Sequence, residues 1–425
     1  MLAWMTIIAA ILAFSLGTIA NLNIGVLCIG FGFLASLVSG GTGSELVDAL
    51  SASNVFIFVG VNLLFTAAFK NGFIQVLCDK LLYATGGRRW VMPFAFAAVG
   101  GIVAGIGAGA APAAALMASP AMTMAKKTKI PTFLMAVVVL HGIFIGMYSP
   151  LSGFAIPILA LITNSVGVNI AGKLFIWSAL FEITALVVAF LLFGGLKLIK
   201  EDKELGSERI GIEGVAKPAK FDSSHYVTII SLILLFAGVM TMGRTFNIGI
   251  GAIALGLIVI IFSRKKGVTD VDVIKAMPWG TIMLVIGAMT LMTMMENVGG
   301  TKLIIAGIQS LNLGIYSALL LIILAGLTSF YASSLAIVLA LIPMAILLMT
   351  DMGMAYAIPG LTIAICISAT MVDVSPVSNN GALFVAANSV ADPESNAGLF
   401  KKMFAYGFAM IFLGSIFSFI ALVLL

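Results

Sequence analysis

Two apolar stretches of this sequence are interrupted by the same short polar pattern. Ser149-Pro150-Leu151-Ser152-Gly153 lies in the first stretch and Ser375-Pro376-Val377-Ser378-Asn379 in the second. A proline breaks a helix and frees carbonyl groups upstream, while the half-helix that begins downstream points its amides and its positive dipole end into the gap. Amides at a helix start stabilise an anion, and serine hydroxyls with freed carbonyls suit a hard monovalent cation. The pattern therefore predicts that both kinds of ion bind at the breaks.

One carboxylate accompanies the second break. Asp373 lies just before Ser375-Pro376, and Asn379 and Asn380 follow them. Ionisable residues inside membrane segments are costly and tend to be functional. We interpret Asp373 as the side chain best placed to hold a coupling cation or a proton. The alternative is that Asp373 caps, together with Ser375, the half-helix that follows.

Two other ionisable residues lie in apolar stretches. His141 lies about two helical turns before the first break, and Glu182 lies inside segment 173–195. Each could carry a proton, but a residue that is simply hydrogen-bonded within the helix bundle has the same sequence pattern. We favour this second interpretation for both residues.

The composition sets the class of protein that positions these residues. Of 425 residues, 61% are hydrophobic and only 9% are charged, with a mean hydropathy of +1.20. Such a chain cannot cover a soluble globule with polar side chains. Three cysteines and two histidines are too few for a disulfide scaffold or a typical zinc site. The net charge of +5 comes from scattered basic residues, so we expect a lipid bilayer and no nucleic acid as partner.

Helices of about 20 apolar residues cross a bilayer. The candidate spans are 2–20, 22–39, 54–70, 131–165, 173–195, 226–243, 247–263, 279–296, 355–390 and 403–425. Two further stretches, 90–125 and 313–350, are interrupted near their middles, which leaves arms of about 15 residues, short for a crossing. We therefore predict an all-α polytopic membrane protein with about ten transmembrane helices, two re-entrant hairpins, and broken helices at 131–165 and 355–390.

The breaks also belong to an internal repeat. Four landmarks recur at offsets of 224 to 227 residues: Asn23 and Asn247, Gly60 and Gly287, Asn71 and Asn297, and Ser149 and Ser375. The order of spans, interfacial helix, hairpin and broken helix recurs as well. We therefore divide the chain into a first repeat at 1–196, a polar linker at 197–225 and a second repeat at 226–425. Because each half has an odd number of crossings, the second repeat is predicted to be inverted.

The distribution of basic residues orients this arrangement. With the predicted spans, 19 of the 22 lysines and arginines fall on one side of the membrane and three on the other. The positive-inside rule then places the linker in the cytoplasm and both termini outside.

Inverted repeats with interrupted helices at matching positions are typical of secondary transporters, whose site lies between the repeats near the midplane. This architecture resembles the ion transporter superfamily, which includes the divalent-anion:sodium symporters. Within it, Leu140-His141-Gly142-Ile143-Phe144-Ile145-Gly146-Met147-Tyr148-Ser149-Pro150-Leu151-Ser152 resembles the His-Gly…Ser-Pro-Ile-Ser region of MatC-type malonate and dicarboxylate carriers. The resemblance implies an elevator-type carrier, a homodimer in the plasma (inner) membrane of a prokaryote, that moves a dicarboxylate with sodium.

The resemblance also implies which residues form the site. It pairs the hairpin tip at 107–112 with Ser149–Gly153, and the tip at 329–334 with Asp373–Asn380. The predicted substrate-binding residues are Gly109, Pro112, Ser149, Pro150, Ser152, Gly153, Ser333, Ser334, Ser375, Pro376, Ser378, Asn379 and Asn380. The predicted sodium ligands are Ser149, Ser152, Asp373, Ser375 and Ser378.

These features together predict a cation-coupled transporter of a small organic anion, such as malonate or a C4 acid, and no organic cofactor. Sodium is the expected coupling ion, with a proton as the alternative. A cation/proton antiporter or an inorganic-oxyanion transporter of the same superfamily is the alternative function. We do not expect an enzyme, because the sequence has no His-Glu-x-x-His and no Gly-x-Gly-Asp motif.

Overall fold

The protein is helical throughout the part of the chain that its structure describes. The computed structural model describes residues 1–20, 22–50, 52–83, 88–204, 219–242, 247–277, 279–310, 314, 316–330 and 334–424. Within these residues every regular element is a helix. Four segments are long and apolar enough to cross a membrane: Ala171–Leu192, Ser334–Asp351, Ala355–Ala391 and Pro393–Val423. Shorter apolar helices accompany them, so the prediction of an all-α membrane protein is confirmed at this level.

Eleven helices precede the centre of the polar linker. They are α1 (Leu2–Ile19), α2 (Ile24–Val38), α3 (Ser44–Ala49), α4 (Ala52–Lys70), α5 (Phe73–Tyr83), α6 (Met92–Val103), α7 (Ala110–Thr128), α8 (Thr132–Met147), α9 (Ala155–Val166), α10 (Ala171–Leu192) and α11 (Gly195–Glu204). A π-helical turn, Ala104–Ala108, joins α6 to the tip before α7.

Ten helices follow the linker in the described residues. They are α12 (Ser223–Met242), α13 (Ile248–Ser263), α14 (Asp270–Ala276), α15 (Trp279–Asn297), α16 (Gly300–Gln309), α17 (Tyr316–Ser329), α18 (Ser334–Asp351), α19 (Ile358–Met371), α20 (Asn379–Ala391) and α21 (Pro393–Leu424). Short 3-10 turns lie at Arg264–Lys266, Ala355–Ala357 and Val372–Val374.

The interrupted stretches adopt helix pairs close to their predicted bounds. The stretch 90–125 contains α6 and α7, and the stretch 313–350 contains α17 and α18. The broken helices at 131–165 and 355–390 are α8 with α9 and α19 with α20. In each broken helix the Ser-Pro pair lies in the non-α-helical gap, where proline removes a backbone donor.

Two boundaries differ from the expectations, and two short helices were not expected. The first residues of the predicted linker are helical, because Leu198 of α11 is buried and Arg89 binds Glu201 and Asp202 of the same helix. The middle of the linker, 205–218, lies outside the described residues. Helix α21 begins at Pro393, ten residues before the predicted start at 403, since proline is well suited to a first helical position. The short helices α3 and α14 are not apparent in the sequence, because six or seven residues show little periodicity.

Close glycine contacts join the two halves of the chain. Helix α2 packs against α15, and α4 packs against α13. A Cβ at Gly287 of α15 would overlap the carbonyl oxygen of Gly25, and a Cβ at Gly60 of α4 would overlap that of Gly249. Small residues permit this close backbone approach between membrane helices.

The broken helices form the most buried part of the described structure. Helix α8 packs against α6, α7 and α10, while α19 packs against α17, α18 and α21. The second helix of each broken pair packs against a helix of the other half of the chain. Helix α20 packs against α7, and α9 packs against α18. An 18-residue window within Ala355–Ala391 is 94% buried. The fold therefore surrounds both breaks with helices from both halves.

Candidate functional site

The second break is organised around the Asp373 carboxylate. Its Oδ2 accepts a hydrogen bond of 2.6 Å from the Ser334 hydroxyl and one of 3.3 Å from the Asn380 amide. Ser334 in turn accepts a hydrogen bond of 2.7 Å from Ser329. Asp373 is only 4% exposed. The hairpin tip between α17 and α18 is thus bonded to the break between α19 and α20.

The two serines of this break shape its backbone. The Ser378 hydroxyl donates to the carbonyl oxygens of Asp373 and Ser375 and accepts from the amide of Gly381, which caps the start of α20. Ser375 Oγ accepts a hydrogen bond from the Val377 amide. A Cβ at Gly381 would overlap the Ser375 carbonyl oxygen, so the first turn of α20 lies directly against the break.

One polar atom at this break has no hydrogen-bond partner among the described residues. Asn380 is 5% exposed, and its Oδ1 has no hydrogen bond although its amide binds Asp373. A buried polar atom without a partner costs roughly 1–3 kcal/mol. The neighbouring Asn379 is exposed, and Val377 is 44% exposed. The break therefore combines an unsatisfied acceptor with positions open to the surroundings.

The first break is closed by the backbone rather than by a carboxylate. The Gly153 amide donates a hydrogen bond of 3.3 Å to the Gly107 carbonyl of the first hairpin tip. Ser149 Oγ accepts from the Leu151 amide and Ser152 Oγ from the Phe154 amide. Ser152 is buried, whereas Ser149 and Pro150 are half-buried.

The first hairpin tip depends on two glycines. Gly107 has a φ of +125°, and a Cβ there would overlap the Phe65 ring of α4. Gly109 has a φ of +79° and precedes the first turn of α7, which contains the half-buried Pro112. These left-handed conformations favour glycine. The tip lies beside the first break, as the pairing implied by the resemblance requires.

A tyrosine that the sequence analysis did not single out joins the two broken helices. The buried Tyr148, adjacent to Ser149, donates a hydrogen bond to the Cys366 carbonyl and lies 3.0 Å from Thr370 Oγ1. Both acceptors belong to α19. The one signal for Tyr148 in the sequence is its position next to the first Ser-Pro pair, because the hydroxyl group of a buried tyrosine usually finds a hydrogen-bond partner.

Two helix N-termini lie on the same side of the site. Helices α7 and α20 pack together, and Lys126 near the C-terminus of α7 forms an ion pair with Asp392, directly after α20. Since their C-terminal ends meet, their N-terminal ends, at the first tip and at the second break, point the same way. Exposed amides and positive dipole ends at such positions attract anions.

The predicted site residues are therefore only partly brought together. Ser334, Asp373, Ser375, Ser378 and Asn380 form one hydrogen-bonded group. Gly153 contacts the first tip, while Ser149 and Ser152 bond within their own segment. Ser333 lies outside the described residues.

The second break offers oxygen atoms from a carboxylate, hydroxyl groups and carbonyl groups. Among the described residues, no group of three or more histidine, cysteine, aspartate or glutamate side chains could hold a metal ion. Carboxylate, hydroxyl and carbonyl oxygens, as at Asp373, Ser334 and Ser375, are ligands for hard cations.

His141 and Glu182 are hydrogen-bonded to each other. Both residues are therefore hydrogen-bonded within the helix bundle, and their separation of 41 residues explains why the sequence does not indicate that they are partners.

Comparison with known proteins supports the resemblance drawn from the sequence. Residues 1–147 match the family model described as the N-terminus of the dicarboxylate carrier protein MatC. This region ends with α8, directly before the first Ser-Pro pair. No curated protein matches the chain. The expected resemblance to MatC-type carriers is thus confirmed for the first third of the chain.

Proposed function

We propose that this protein is a secondary active transporter of a small dicarboxylate, such as malonate or a C4 acid. The observation that carries the proposal is the pair of N-termini of α7 and α20, which point the same way at the first tip and at the second break. Two dipole ends and several hydroxyls stabilise a dianion without a basic side chain. The MatC family match is consistent with this substrate class.

The coupling cation would bind beside Asp373. The carboxylate, the Ser375 and Ser378 oxygens and the nearby carbonyls form an oxygen-rich group at the second break. A cation bound there first lowers the electrostatic cost of bringing a dianion into a medium of low dielectric constant. We propose that sodium binds at this second break. We propose Ser149 and Ser152 as further candidate sodium ligands, which lie at the first break.

The repeat and its inversion remain part of the proposal, and the packing supports them. Gly25 of the first half is equivalent to Gly249 of the second, and Gly60 is equivalent to Gly287. The contact between Gly25 and Gly287 therefore corresponds to the contact between Gly249 and Gly60. Helices α3 and α14 also occupy equivalent places in the order of elements.

Three ion pairs between distant parts of the chain are also consistent with the proposed topology. The contacts Arg89–Asp202, Lys126–Asp392 and Lys266–Asp222 each join residues that the predicted spans place on the cytoplasmic side. We propose that this side carries the linker, that both termini lie outside, and that the protein is a homodimer in the plasma membrane of a prokaryote.

An elevator movement would divide the molecule into two bodies. The hairpins, the broken helices and α21 pack around the two breaks. Helix α10, which the sequence by itself assigns to the static scaffold, packs against α8 and α19 and so belongs to this body. Helices α1, α2, α4, α12, α13 and α15 form the cross-packed remainder. We propose that the first body carries the substrate across the membrane against the second.

Uptake into proteoliposomes tests this function. Labelled malonate and succinate are offered with an inward sodium gradient, a proton gradient or neither. We expect saturable, sodium-dependent uptake that falls in Ser378→Ala and Asn380→Ala, because these changes remove the cap of α20 and the amide that donates to the Asp373 carboxylate. Ser389→Ala, at the far end of α20, is the matched control that should transport normally.

The pattern of failures is informative. Non-saturating flux would indicate a channel. Saturable transport of sulfate or phosphate, with no uptake of either acid, would replace the substrate assignment by the oxyanion alternative. Sodium extrusion in exchange for protons would replace the function by the antiporter alternative.

A further inference from the structure

Three buried side chains form a hydrogen-bonded chain away from the breaks. His141 Nδ1 lies 2.6 Å from Glu182 Oε2, and His141 Nε2 lies 2.8 Å from the Tyr406 hydroxyl. His141 is 0% and Glu182 1% exposed. The three residues belong to α8, α10 and α21, so this triad joins helices from both halves of the chain.

The triad lies in apolar surroundings. The rings of Phe133 and Phe193 meet Tyr406 edge-on, and Phe144 meets His141 in the same way. Among the described residues, the only ion pair of Glu182 is with His141.

Other charged groups on the packed helices form no hydrogen bond or ion pair with the triad in the described residues. Helices α6 and α20, which pack against α8, carry no charged side chain. Asp373, at the break before α20, is bonded to Ser334 and Asn380. The remaining charged groups on α7, α10 and α21 are exposed: Lys126, Lys127, Lys173, Glu394, Lys401 and Lys402.

The same contacts can hold the triad with or without one extra proton. With neutral His141, Nδ1–H donates to the Glu182 carboxylate and Nε2 accepts from the Tyr406 hydroxyl. With protonated His141, both ring nitrogens donate, and the tyrosine oxygen becomes the acceptor. The first state buries a net negative charge, whereas the second is neutral overall. The triad can therefore bind a proton without losing a hydrogen bond, and the bound proton removes an uncompensated buried charge.

The triad is not a general requirement of the fold. At the offset of 226 residues, His141 corresponds to Ile367 and Glu182 to Phe408. The equivalent helices of the second half therefore pack without these polar groups. In the proposed elevator, all three residues lie on the body that carries the substrate.

We propose that His141, Glu182 and Tyr406 form a site for one exchangeable proton that crosses the membrane together with the dicarboxylate. This inference rests on the proposed transport function. The proton enters from water on one side, is shared by His141 and Glu182, and returns to water on the other side. It is distinct from the cation site proposed at Asp373.

The test measures proton movement directly. Proteoliposomes with equal sodium on both sides contain a pH-sensitive dye, and malonate is added outside. The wild type should acidify the lumen as malonate enters, and an alkaline lumen should accelerate uptake. Glu182→Gln should lose both effects, while it still exchanges labelled for unlabelled malonate at equal pH, because exchange needs no net proton transfer. Glu296→Gln, an exposed glutamate at the end of α15, is the matched control and should behave as wild type.

Other outcomes separate this inference from the proposed function. Sodium-driven malonate uptake without lumenal acidification would overturn the proton site and leave the transporter standing. Persistent acidification in Glu182→Gln would also overturn it. If Glu182→Gln also abolishes exchange, the pH dependence of malonate uptake is measured for Tyr406→Phe. A shift of this dependence from that of the wild type supports the site, and an unchanged dependence overturns it. A wild type that neither takes up nor exchanges any dicarboxylate would overturn both proposals.

Discussion

At the scale of single residues, Asp373 is the buried carboxylate that joins the second hairpin tip to the second break. It accepts hydrogen bonds from both the second hairpin tip and the start of α20. Asp373 and its neighbours hold the break together and also present oxygen atoms to it. The cap of α20 is supplied by Ser378 and not by Asp373 or Ser375.

We expect Asp373→Asn to lower dicarboxylate uptake by about tenfold or more. The change keeps the size of the side chain but weakens hydrogen bonds to a charged group, each worth about 1.5–3 kcal/mol, and removes the charge that would hold a cation. Initial uptake rates in proteoliposomes measure the effect. Asp351→Asn, at the exposed end of α18, is the control. An Asp373→Asn protein with wild-type rates would exclude a role for this carboxylate in coupling.

At the scale of elements, the first hairpin tip lies beside the first break. Gly107 makes this possible in the first half, since its backbone conformation and its contact with Phe65 both exclude a side chain. Gly101 and Gly146 likewise allow α6 to approach α8 closely.

We expect Gly107→Ala to abolish uptake, because the tip must move away from Phe65 and from Gly153. The same uptake assay measures the loss, and yield after size-exclusion chromatography reports on folding. Gly172→Ala on α10 is the control, since a Cβ there would meet nothing within 4 Å. Normal uptake by Gly107→Ala would show that the tip can move without cost.

The ion pair between Lys126 and Asp392 joins the first hairpin to the corner between α20 and α21. The hydrogen bond from Lys126, with one from Ser395, lowers the pKa of Asp392 below its ordinary value. A carboxyl group with a lowered pKa stabilises the folded state above its ordinary pKa, and this contribution is lost as the pH falls through the folded pKa.

We therefore expect the melting temperature of the wild type to exceed that of Asp392→Asn at neutral pH. The difference should shrink as the pH falls from about 5 to below about 3, since aspartate ordinarily titrates near 3.9. Thermal unfolding of the detergent-solubilised protein at several pH values checks this. For Asp48→Asn, an exposed position on α3, we expect no such change, and a constant difference for Asp392→Asn would contradict the assignment.

At the scale of the whole molecule, the halves are held together by crossed pairs of helices. The contact of Gly25 with Gly287 has its counterpart in the contact of Gly249 with Gly60. If the two halves are repeats, equivalent substitutions should have equivalent effects.

We expect Gly25→Ala and Gly249→Ala each to destabilise the protein by about 1–3 kcal/mol, the usual cost of overpacking. Melting temperatures in detergent should fall by similar amounts for both. Gly30→Ala, on α2 but with open space around it, should change little. A large effect at one glycine and none at the other would argue against the repeat.

Much of the architecture could be predicted from the sequence, because its determinants are local. Apolar segment length predicted the helices, and proline with serine predicted the gaps of both broken helices within a few residues. The pattern that begins at His141 also indicated a resemblance to MatC-type carriers, and the family match over 1–147 confirms this resemblance for the residues before Ser149. These features depend on helix propensity and hydropathy, which act within a few turns.

Only the tertiary structure decided which residues are partners. His141 and Glu182 are 41 residues apart in sequence, and Tyr406 is 265 residues from His141, so no local spacing could connect them. The same holds for Ser334 with Asp373 and for Lys126 with Asp392. The physical reason is that a buried polar atom must find a partner wherever the packing of helices places one, and that packing is a property of the whole chain.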